Sequence, residues 1–273
     1  MKQKSNVWVF VLVAYGFTWL FWGSEALIAQ GIWNAPEGVK SFLAGPFNLG
    51  PWGPLFASII VTFMYQGAAG VKDLFKRGIM ARLGKWWWAA LLTFPVLIGG
   101  SLALSVAFGN PAPEFEALAQ PIALPIAFVW IFFLGGPLQE EFGWRGYAFE
   151  NLRRKYDALT SAIIAGLMWG LWHLPLFFVP RAEDYYNRPL WGLLLTTTLA
   201  GIILAWLYAN TNGSIFAAML GHTMFNWSNW VFPAIKSDSA ALILFGLYFI
   251  AAVYIVWQYG RKTLTKTSID QAH

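Results

Sequence analysis

Apolar runs about as long as a bilayer is thick dominate this chain, and they leave it few architectures to choose from. A helix needs about 20 predominantly apolar residues to cross the hydrocarbon core. Such runs fall at 7–29, 53–67, 86–108, 119–143, 158–179, 190–209, 213–233 and 239–259. They predict an all-α, polytopic membrane protein of about eight transmembrane helices. The run at 53–67 is the weakest. It follows "GPFNLGPWGP", whose Gly and Pro residues predict a broken or re-entrant start. Composition agrees with the membrane reading. Only 11% of residues are charged, against about 25% in soluble domains. Seventeen tryptophans suit a chain with two membrane interfaces. Lysines followed by an apolar run near Met1 resemble a signal peptide. The run continues to about Ala29 with no small-x-small site behind it, so it is read as a span.

Basic residues assign sides. Lys2, Lys4, Lys72, Lys76, Arg77, Arg82, Lys85, Arg153, Arg154, Lys155, Arg261, Lys262 and Lys266 fall on one face of an eight-span arrangement. Lys40, Arg181, Arg188 and Lys236 fall on the other. A split of 13 to 4, with Arg145 set apart, predicts both termini on the cytoplasmic side. No linker divides the chain, so 1–273 reads as a single transmembrane domain, with a core at 119–233 that holds the polar residues of interest.

Ionisable groups inside spans are costly, and they are functional candidates by default. Here they are Glu25, the Glu140/Glu141/Arg145 group, His173 and His222. His273 is the last residue and reads as a tail. Glu141 and Arg145 are spaced i,i+4 and share a helix face, whereas Glu140 points about 100° away without a partner in its own helix. Aromatic residues follow, so the helix continues in apolar surroundings and Glu140 lies roughly 16–20 Å from the basic boundary at Arg153. His222 and Asn226 are again i,i+4, at a similar depth of roughly 14–20 Å from the turn at Asn212. His173 falls deeper, at roughly 24 Å from Asp157, with Trp169 one turn before it and Pro175 just after.

The inventory excludes much chemistry. The chain has no cysteine, no G-x-S-x-G elbow, no H-E-x-x-H and no Asp within a span. What remains is a carboxylate able to act as general base on water, imidazoles able to orient or deprotonate that water, and an amide able to support an oxyanion. That set suits hydrolysis of a carbonyl compound such as a peptide bond. The same Glu140, His173 and His222 also offer the three N/O ligands of a catalytic zinc, and spacing does not decide between the two. Buried Glu and His also suit a proton-coupled transporter, although the two halves of the chain lack the internal repeat common in transporters. A non-catalytic immunity or scaffold protein is a third reading, which the complete polar set argues against.

At these residues the sequence resembles the type II CAAX prenyl endopeptidase and bacteriocin-processing (CPBP, Abi) family of intramembrane proteases. The pattern reads E140-E141-F-G-W-R145, W169-G-L-W-H173 and H222-T-M-F-N226. Trp169 stands where the family usually has Phe. The resemblance covers about 135–230 and implies that Glu140 and His173 activate water, that His222 and Asn226 form the oxyanion hole, and that Glu141 and Arg145 support the site. It implies a prokaryotic plasma-membrane protease opening to the cytoplasmic side. A glutamate-type mechanism without a cofactor is favoured, with zinc as the alternative. The expected partners are the lipid bilayer and a protein or peptide substrate, prenylated or not, and no nucleic acid.

Overall fold

The computed structural model describes residues 6–45 and 48–266. Lys2, Lys4 and His273 lie outside the described residues. Among the described residues every regular element is helical. In chain order these are α1 (Val7–Ala29), α2 (Glu37–Ala44), α3 (Gly53–Gly78), α4 (Trp86–Ala107), α5 (Ala123–Leu134), α6 (Pro137–Gly143), α7 (Glu150–Leu152), α8 (Ala158–Trp172), α9 (Leu190–Asn210), α10 (Ile215–Val231) and α11 (Asp238–Tyr259).

Local chemistry sets several helix starts. The Asn6 side chain accepts the amides of Trp8 and Val9 at 3.0 and 3.3 Å, opening α1. Asp157 accepts the Thr160 amide at 2.8 Å and opens α8, and Ser214 accepts the Ala217 amide at 3.0 Å and opens α10. Each satisfies an amide that the first turn leaves unpaired.

Seven segments among the described residues are long and apolar enough to cross a membrane, where the sequence predicts about eight. The difference is α10, which has 17 residues. It is packed on α4, α5, α6 and α9 and is buried along most of its length. At about 1.5 Å per residue it is roughly 25 Å long, short for a lipid-facing span and suited to a central one. The run predicted at 53–67 is longer in the structure. A 3₁₀ turn at Gly50–Trp52 leads straight into α3. That helix extends to Gly78 with a kink at Gly67. The short helix α2 carries no span-length signal and is not visible in the apolar pattern.

The fourth predicted span runs past residue 143. Helices α5 and α6, a π-helical turn at Trp144–Phe149 and α7 follow one another from Ala123 to Leu152. Its outer half, α5, has no fully buried residue, and its inner half is almost entirely buried. The carboxylates therefore sit where this span leaves lipid and enters protein. Helices α8 and α9 approach closely enough that a Cβ on Gly166 would lie 2.7 Å from Thr198 Cα. Such small-residue contacts let transmembrane helices pack backbone to backbone. Exposed Trp8, Leu12, Trp88, Val96, Leu242, Phe249 and Trp257 form the apolar exterior, as expected of a surface that faces acyl chains.

The basic clusters meet at one end. Arg77, Arg153 and Arg154 line a polar cavity of about 380 Å³ together with Tyr208 and Asn212. Arg261 pairs with Asp157 at 2.7 Å. The backbone amide of Asn6, at the start of α1, donates to the Tyr147 hydroxyl at that end. Lys40 and Arg181 gather with Glu25 beside the other end of α1.

Candidate active site

Three helical segments, far apart in sequence, bring the predicted residues into one buried network. Glu140 and Glu141 lie on α6, Trp169 and His173 at the end of α8, and His222 and Asn226 on α10. The four ionisable groups are nearly or fully enclosed: Glu140 is 6% exposed, Glu141 0%, His173 6% and His222 2%.

The geometry of α6 begins with a break. Helix α5 ends at Leu134, and Gly136 adopts φ 112°, outside the range that other residues readily occupy. Pro137 then restarts the helix. The Gly136 amide donates to Gln139 Oε1 at 3.0 Å. The break also leaves the Gly135 carbonyl without a helical partner, and Asn226 Nδ2 donates to it at 2.9 Å. A Cβ on Gly136 would lie 2.6 Å from Glu140 Oε1 and 3.5 Å from Asn226 Nδ2. The missing side chain is thus a notch bordered by the carboxylate and the amide. Asn226 has a second N–H beyond the one given to Gly135.

Trp169 is the hub. Its indole N–H donates to Glu140 Oε2 at 2.5 Å. Its carbonyl lies 2.9 Å from His173 Nδ1. A carbonyl can only accept, so Nδ1 carries a proton and Nε2 of a neutral ring presents its lone pair. The Trp169 ring packs edge-on against His222 at 5.0 Å and lies under the Arg145 guanidinium at 4.8 Å. The sequence reading treats Trp169 as an aromatic equivalent of Phe. The structure adds a hydrogen bond that Phe cannot make, and through it Glu140 gains a partner from another helix.

Glu141 joins two motifs. It accepts Arg145 Nη1 at 2.7 Å, the expected i,i+4 pair. The same Oε1 lies 2.8 Å from His222 Nδ1, a contact between helices that spacing does not reveal. Two further rings flank His173 nearly in parallel: Tyr185, at 5.3 Å and 15°, and Trp22, at 5.8 Å and 25°. Neither is signalled by the motifs. The end of α8 is held by α1, where Trp19 donates to the Trp172 carbonyl at 2.9 Å and Thr18 accepts the Trp172 indole at 2.7 Å. Trp172 is the last residue of α8, so the Trp19 contact satisfies a carbonyl that the helix end leaves open, and the Thr18 contact satisfies the buried indole.

Among the described residues no group of three His, Asp or Glu side chains converges as a metal site. Nδ1 of each histidine is already engaged, by the Trp169 carbonyl and by Glu141. Nε2 of His173 and of His222 stays open, an arrangement that suits acid–base or hydrogen-bonding roles and also ligation of a metal.

Comparison with known proteins gives two matches. Residues 122–228 match the family described as "Type II CAAX prenyl endopeptidase Rce1-like". That segment contains every residue of the network from Glu140 to Asn226. The chain is also 27% identical over 265 residues to "CAAX prenyl protease 2" of Methanococcus maripaludis, an alignment that covers 94% of this chain and 95% of the relative. With the helical membrane fold, these matches make the chain similar to the type II CAAX prenyl endopeptidases of the Rce1-like family.

Proposed function

We propose that this chain hydrolyses a peptide bond of a membrane-associated protein or peptide, with water activated by Glu140 and His173 and the oxyanion held by His222 and Asn226. The observation that carries this reading is that two hydrogen-bonded sets meet on α6, Glu140–Trp169–His173 with α8 and Glu141–His222 with α10, and that the Trp169 and His222 rings touch at 5.0 Å. Glu140 takes a proton from water as its oxygen attacks the carbonyl carbon. His173, with Nδ1–H fixed on Trp169, orients that water through the Nε2 lone pair. The tetrahedral oxyanion accepts the free Asn226 N–H and an N–H from His222. Glu140 returns its proton to the leaving nitrogen as the C–N bond breaks, so no proton is gained or lost over the cycle.

One condition follows from the structure. With Nδ1–H directed at Glu141, only a doubly protonated His222 has an N–H left at Nε2.

The substrate class proposed is a prenylated CAAX-type C-terminus, in keeping with the names of the family and of the Methanococcus maripaludis relative. The site is proposed to open towards the cytoplasmic side, with both chain termini there, because the basic clusters gather at one end. No metal takes part in the proposed reaction. The test is purified protein in liposomes with matched prenylated and unprenylated peptides. Cleavage of the prenylated member, unchanged along a chelator series, is the expected result. Activity lost on chelation and restored by zinc sinks the metal-free mechanism, and equal cleavage of the unprenylated peptide sinks the substrate class.

Gly136→Ala is expected to slow cleavage at least about tenfold, as displacement of a reacting group by an ångström readily does. The added methyl needs the space of Glu140 Oε1 and a strained φ, so stability falls by about 1–3 kcal/mol as well. Rates and thermal unfolding measured on the same preparation check both. A variant as fast as wild type would mean that the notch has no part in placing Glu140.

A further inference from the structure

Glu25 takes no part in the network above, although it is ionisable, lies in a span and is only 6% exposed. Its carboxylate meets Arg181, which donates through Nε and, at 2.7 Å, through Nη2. The same Nη2 reaches the Leu43 carbonyl at 3.0 Å, which Asn48 also holds at 2.6 Å. Gln30 donates to the Phe178 carbonyl at 2.9 Å. The end of α1, the end of α2 and the segment after α8 are thereby tied into one cluster.

The chain leaves this cluster through two turns. The Ala182 amide bonds the Val179 carbonyl at 2.9 Å, and the Tyr185 amide bonds that of Ala182 at 2.8 Å. Those turns lay the Tyr185 ring on the His173 imidazole. Phe177 supports the same ring edge-on at 5.9 Å. Burial pushes the Tyr185 hydroxyl above its usual range, and the charges of Glu140 and Asp184 push it further. Trp22, one turn before Glu25 on α1, is the second ring nearly parallel to His173.

A hydrogen bond at Nδ1 anchors one atom of His173 and leaves the plane of the ring unset. The stacked rings set it, and with it the direction of the Nε2 lone pair. We propose that Tyr185 is a positioning residue for His173 and that the Glu25–Arg181 pair is the clasp that keeps it there. A carboxylate at the far end of α1 would then act on the site through a ring, without touching water or substrate. The catalytic consequence rests on the role given to His173 above. The positioning itself does not, and the test separates the two.

The chain has three histidines, so selective labelling of the imidazoles gives a signal for His173 in detergent-solubilised protein. Tyr185→Leu keeps the bulk and removes the ring. It is expected to displace the His173 resonance and slow cleavage roughly 10- to 100-fold. Tyr185→Phe keeps the stack and is expected to leave the resonance in place and the rate within about threefold. Arg181→Met, at a side chain 48% exposed and so tolerant of change, is expected to displace the same resonance. Adding Glu25→Gln to Arg181→Met should cost no more than either change alone, because both break one interaction.

An unmoved His173 resonance in Tyr185→Leu and Arg181→Met overturns the proposal. A Phe variant as slow as the Leu variant overturns it too, since the hydroxyl would then be what matters. If the resonances move as expected and wild-type protein cleaves no peptide, the clasp stands and the peptidase reading falls. Thermal unfolding of each variant accompanies the spectra. Should Tyr185→Leu not fold, the Phe and Arg181 variants still support or overturn the positioning role.

Discussion

Glu140→Gln is expected to lower single-turnover cleavage by about 10²–10⁴-fold, the range removed with a general base. The substitution is nearly isosteric. Its side-chain oxygen still accepts the Trp169 indole, so the hub keeps its geometry and only basicity is lost. Stability should move the other way. A buried carboxylate is costly to keep charged, and an amide in its place is cheaper. The same protein sample should therefore unfold at an equal or higher temperature while cleaving far more slowly. Stability held against function in this way is the usual mark of a catalytic group. A Glu140→Gln variant that turns over at the wild-type rate would falsify the role given to Glu140. Glu141→Gln is the matched control, since it neutralises the adjacent carboxylate and is expected to disturb folding more than chemistry.

The difference between the two carboxylates is partly legible in the sequence. Helical spacing pairs Glu141 with Arg145 and leaves Glu140 on another face, and the structure keeps that division. Spacing says nothing about other helices, so the Trp169 bond to Glu140 and the His222 bond to Glu141 are out of its reach. Each depends on where α8 and α10 pack. Apolar length locates most spans because a bilayer imposes one length on all of them. It fixes bounds less closely where that constraint relaxes. α10 is surrounded by protein and shorter than a span, and α3 tolerates a kink at Gly67 and continues beyond the apolar run. Tyr185 is invisible for a different reason. It sits in a polar loop, and nothing in "RAEDYYNRP" states that one of two adjacent tyrosines stacks on a histidine. The Gly-Gly-Pro at 135–137 reads as a kink. Its larger consequence, a notch between Glu140 and Asn226, is a property of three segments together.

Arg145→Met is expected to be the most destabilising single change at the site, at about 3–5 kcal/mol, the cost of stranding one partner of a buried ion pair. Glu141 is fully enclosed and Arg145 is 2% exposed, so solvent does little to screen the charge left behind. Methionine fills much of the lost volume, which keeps a cavity from dominating the result. The decisive comparison is Glu141→Gln/Arg145→Met. With both charges gone, the glutamine oxygen still accepts His222, and no unpaired charge remains. The double variant should recover most of the stability lost in Arg145→Met, although removing charges from a low-dielectric interior does not by itself restore catalysis. Chemical or thermal unfolding of the three variants in one detergent measures the coupling directly. Recovery of stability without recovery of cleavage would assign the pair a second duty beyond neutralising each other, since the glutamine keeps the hydrogen bond to His222 but not the charge beside it. Losses that simply add would mean that Glu141 and Arg145 act independently, and that the contact at 2.7 Å is not what holds α6 and the π-helical turn together.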